Sequence, residues 1–68
     1  MDIEVGQVIE IQQAKNVPAQ TVTVTGVRLW VDGESIKSII TIDGGDGPTT
    51  VGALQLARWV EKAERQYR

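Results

Sequence analysis

The chain contains no cysteine and no histidine. The first absence excludes a disulfide and a thiolate metal site. The second removes the commonest zinc ligand and the commonest general base. There is no long apolar run, and the opening Met1-Asp2-Ile3-Glu4 carries no basic leader. Neither a secretory signal nor a membrane span is therefore expected, and the expected location is cytoplasmic. Positive charge is scarce over residues 1–50, where Lys15, Arg28 and Lys37 face seven carboxylates. That acidic stretch argues against a broad nucleic-acid surface, because phosphate neutralisation needs a basic field. Phenylalanine is missing too, leaving Trp30, Trp59 and Tyr67 as the aromatics.

What is present is a hydrophobic content of 41% in 68 residues, which fits one small globular domain spanning residues 1–68. A domain of this length buries only about 60% of its unfolded surface. Without disulfides or metal, self-association is the expected source of added stability.

Ile3, Val5, Ile9 and Ile11 share one parity, which reads as a strand over about residues 2–13. Gly6 is a candidate bulge that shifts the register around Val8. Residues 14–20 form a connection around Pro18. The threonines and valines of residues 21–31 read as a second strand. Its apolar parity changes from Val22 and Val24 to Val27, Leu29 and Val31, and Gly26 stands at the change. A bulge there, with a positive φ at Gly26, returns all five to one face. Asp32-Gly33 reads as a two-residue type I′ turn. It leads into a third strand over about 34–42 and pairs Val31 with Glu34, Trp30 with Ser35 and Leu29 with Ile36. In the same scheme Val27 faces Ser38, Val24 faces Ile40 and Val22 faces Ile42.

Asp43 to Pro48 is a glycine-rich loop, and Thr49 or Thr50 is placed to cap a helix over about 50–66. Ala53, Leu56, Ala57, Val60, Ala63 and Tyr67 recur on one helical face, with Trp59 at its edge. The expected fold class is α+β: a three-stranded antiparallel β-meander (β-β-β-α) with the C-terminal helix packed on one face. Such a sheet keeps one bare face and two edges.

Trp30 falls on the face opposite the apolar stripe, together with Arg28, Lys37 and Ile39. Trp and Arg are frequent interface anchors, so these four residues are the candidate protein-binding surface. Arg58, Lys62, Arg65 and Arg68 make a basic helix face, a candidate contact for an acidic partner or nucleic acid; an ordinary solvated helix face carries the same pattern. The glycine-rich loop lacks a P-loop lysine and the Gly-x-Gly-x-x-Gly spacing, and Asp43 and Asp46 oppose a phosphate. Those two aspartates alone fall short of an EF-hand ligand set. Ser35 and Ser38 have no imidazole or thiolate to work with. No catalytic residue, cofactor, metal or small-molecule substrate is therefore expected. The expected function is a non-catalytic protein-binding module. It acts as a homo-oligomer, a dimer in the simplest case, or as an adaptor or inhibitor docking on a larger protein. A short chain of this kind is typical of phage and mobile-element genomes. The alternative is a small nucleic-acid-binding module.

Overall fold

The computed structural model describes residues 3–65. Four strands and one helix follow in chain order: β1 (Val8–Ile11), β2 (Gln20–Asp32), β3 (Ser35–Asp43), β4 (Pro48–Gly52) and α1 (Ala53–Arg65). The strands form one antiparallel sheet in the order β1-β2-β3-β4. The sheet curls as a half-barrel, and α1 packs mainly against β1, with further contact to β3 and β4.

The three-stranded meander expected from the sequence is thus incorrect. The missing strand is β4, at the place expected to be a loop end and a helix cap. Thr49 and Thr50 do not cap the helix; they pair with Ile42 and Thr41 of β3, and Val51 pairs with Ile40. These are β-branched residues beside a free strand edge, and ladder pairing satisfies more of their backbone than one capping bond would. The helix starts at Ala53, after Gly52.

The first strand is also shorter than expected. Glu4–Gln7 form a turn in which the Gln7 N–H donates to the Glu4 carbonyl at 3.2 Å. Gly6, at φ 92, donates to the Val24 carbonyl at 2.7 Å, and Val24 donates back to the Gln7 carbonyl at 2.8 Å. Two residues therefore oppose one, a glycine bulge at the expected position.

The β2–β3 hairpin turns on Gly33-Glu34, one residue later than expected. Gly33 has φ 60 and no non-glycine residue among those described has a positive φ. A type I′ turn centred on Asp32-Gly33 would require a positive φ at Asp32, so glycine takes the first corner instead, in the type II′ manner. The pairs become Asp32–Ser35, Val31–Ile36, Trp30–Lys37, Leu29–Ser38, Arg28–Ile39 and Val27–Ile40. β3 has slid by two residues relative to expectation, an even step, so every side chain keeps its face. The bulge lies between Val24 and Gly26, with Thr25 as the extra residue. Gly26 itself does not take a positive φ, contrary to expectation.

The core is aliphatic. Ile11, Val22, Val24, Ile40, Ile42, Val51 and Leu56 form one buried cluster, with Ile3, Ile9, Ala53, Trp59 and Val60 packed against it. Ala53, Leu56, Val60 and Ala63 supply the helical stripe at alternating spacings of three and four. The connection after β1 is tied down by Gln12. Its backbone N–H donates to the Trp59 carbonyl at 3.0 Å, and its buried side-chain Nε2 donates to the Val17 carbonyl at 3.0 Å.

Candidate functional site

β1 flanks β2 only over Gln20–Thr23, with Gly6 and Gln7 reaching Val24. β4 flanks β3 only over Ile39–Asp43. Beyond these limits β2 and β3 have only each other among the described residues. The hairpin from Leu29 to Ser38 is therefore a two-stranded arm. A free two-stranded ribbon is marginally stable in water.

The arm also corrects the expected core. Val27, Leu29 and Val31 lie on the same sheet face as buried Ile40, as expected, yet they are not buried. Leu29 is 68% exposed and Ile36 69%, with Val31 similar. The helix ends its cover near β1 and the base of β3, so this apolar row runs past it into solvent. Leu54, at the start of α1, is exposed beside the row. A hollow of about 380 Å³ separates the two, lined by Ile36, Lys37, Ser38, Gly52, Ala53 and Leu54. No alternation pattern distinguishes an inward residue under a helix from one beyond its end.

On the other face, Trp30 is 54% exposed and stands opposite Lys37, and Arg28 stands opposite half-buried Ile39. The four residues singled out from the sequence are thus adjacent. Arg28, Trp30 and Ile39 border a shallow hollow of about 360 Å³ with Gly26, Val27, Thr41 and Thr50. Asp32 extends this face towards the turn. The exposure of Trp30 belongs to a whole arm that, among the described residues, is open on both faces.

The basic helix face is present as well. Arg58, Lys62 and Arg65 are exposed, and Arg65 is paired with Glu61; Arg68 lies outside the described residues. Lys15 is a fourth cation that linear spacing did not bring to this group. It borders one hollow with Gln12, Lys62 and Arg65. In the glycine-rich loop, the Asp43 carboxylate accepts the N–H of Gly45 at 2.8 Å, which commits one of its oxygens to the turn. Among the described residues no three acidic side chains converge as a metal site, and no helix is long and apolar enough to cross a membrane.

No protein-family model, curated protein or solved structure matches this chain. The functional reading therefore rests on the geometry alone.

Proposed function

We propose that this chain is a non-catalytic protein-binding module that works as a homo-oligomer, with a dimer as its simplest form. One observation carries the reading: the β2–β3 arm holds Leu29, Val31, Ile36 and Trp30 in water, away from the helix that covers the rest of the sheet. Burying a side chain of this kind stabilises an assembly by about 1.5–3 kcal/mol. A lone domain of this size has few other sources of stability. The residues that would anchor the contact are Arg28, Trp30, Lys37 and Ile39 on one face of the β2–β3 hairpin.

Sedimentation equilibrium over a wide concentration range tests this. A dimer mass that falls to monomer only on strong dilution is the expected result. A monomer at every concentration removes self-association and leaves the arm for a larger protein, as in an adaptor or inhibitor. The grouping of Lys15, Lys62 and Arg65 favours nucleic-acid binding as a second reading. An absence of any shift of labelled duplex at low ionic strength would remove it, because electrostatic binding is strongest there.

A further inference from the structure

We propose that two copies of the chain join through the open edge of β2, antiparallel, with Trp30 on the two-fold axis. The inference deepens the self-association reading and rests on it. Among the described residues, no strand lies on the outer edge of β2, the edge opposite β3, from Thr25 to Asp32. The two-residue turn makes Asp32 and Ser35 the hydrogen-bonded pair that closes the hairpin. Backbone groups alternate in direction along a strand, so those of Arg28, Trp30 and Asp32 point towards β3. Those of Val27, Leu29 and Val31 point outward, free to pair.

Symmetry then limits the register. A two-fold axis perpendicular to the sheet keeps each residue on its own face, so facing residues must share parity. With Trp30 at the centre, Leu29 of each copy faces Val31 of the other, and their outward N–H and C=O groups close four hydrogen bonds. Trp30 meets Trp30, and Arg28 of each copy meets Asp32 of the other. These are non-hydrogen-bonded positions, where side chains approach most closely and where aromatic and opposite-charge pairs stabilise a sheet. Centring on Leu29 leaves Asp32 opposite Gly26. Centring on Val31 sets Asp32 against Trp30. Only the Trp30 centre satisfies both charges.

The opposite edge of the arm does not offer this. The free part of β3 is Ser35–Ser38, and it carries Lys37 with no carboxylate to meet it. The charges of β2 are self-complementary about Trp30, and that property selects a second copy over a foreign strand. Joined in this way, the two marginal ribbons become one four-stranded sheet, with Leu29, Val31 and Ile36 of both copies in a continuous apolar row.

Charge exchange tests the arrangement. Arg28 and Asp32 are exposed, so Arg28→Asp and Asp32→Arg should leave the far-UV circular dichroism of the fold unchanged. Each single variant places like charges opposite each other twice, and the expected result is a dimer at least tenfold weaker by sedimentation equilibrium. Mixing the two variants sets aspartate opposite arginine at both positions, and a heterodimer of wild-type strength is expected. The double variant Arg28→Asp/Asp32→Arg should likewise recover the homodimer. Because the chain has no cysteine of its own, Trp30→Cys should also form a disulfide-linked dimer on mild oxidation. A wild-type dimer that ignores both single substitutions would place association elsewhere, overturning the β2 edge while leaving self-association standing. Single variants that weaken the dimer without recovery in the mixture would overturn the Trp30 register. A wild-type monomer at all concentrations would overturn both.

Discussion

Two leucines on the same side of the sheet have opposite fates. Leu56, on the helix, has no exposed surface; Leu29, on the arm, is 68% exposed. The base of the hairpin is flanked by β1, β4 and α1, so Val22, Val24, Ile40 and Ile42 close into a core. The arm has the same alternation, but among the described residues nothing flanks or covers it. Patterning sets the face on which a side chain lies. Burial needs a second layer at that level of the sheet, and a helix that runs from Ala53 to Arg65 against β1 does not supply one for the arm.

The largest effect is expected in the base. Leu56→Ala should cost about 2–5 kcal/mol of unfolding free energy in urea titration, the usual range for a buried leucine truncated to alanine. In a domain of this length that loss approaches the whole stability. Trp30→Ala comes next, acting on a different quantity: self-association should weaken by about 2 kcal/mol, the scale of an interface anchor, at nearly unchanged monomer stability. A Trp30→Ala chain that unfolds as a dilute monomer would place Trp30 in the core and erase the distinction between arm and base.

Gly33→Ala should destabilise by about 1 kcal/mol, because φ 60 is the left-handed region that alanine resists. The change concerns the turn, so loss of arm order by amide hydrogen exchange should exceed any loss in the base. Smallest is Leu29→Ala in the monomer, at under about 1 kcal/mol, since the side chain leaves little buried contact behind. Equal costs for Leu29→Ala and Leu56→Ala in dilute monomer would mean that the arm is covered by its own chain. Gly26→Ala belongs with the small effects as well. Its added Cβ would meet Thr41 Oγ1 at 3.4 Å, an ordinary contact, and its φ demands no glycine.

Much of the hairpin could be read in advance. Alternation assigned each residue of β2 and β3 to its face, and the parity break located the bulge beside Gly26. Gly6 was a candidate for a bulge because Val8 alone breaks the shared parity of Ile3, Val5, Ile9 and Ile11. The turn was misplaced by one residue because Asp-Gly commonly fills both corners of a type I′ turn, whereas here glycine takes the first corner and Glu34 the second. β4 was missed because Pro48-Thr49-Thr50-Val51 is too short for periodicity to speak, and threonine before an apolar helix imitates a cap. Parity alone placed Arg28, Trp30, Lys37 and Ile39 on one face of the hairpin. Lys15 was not, because its approach to Lys62 and Arg65 depends on where Gln12 anchors the connection to the helix.

By itself the sequence determined the antiparallel hairpin, its two faces, the bulges and the amphipathic helix. Each of these follows from local steric preference and from a period of two or 3.6 residues. Only the tertiary structure decided which half of the apolar row is core and which half is surface, because burial depends on where other elements stop. It also decided that, among the described residues, β2 has an open outer edge from Thr25 to Asp32, because β1 stops short of it.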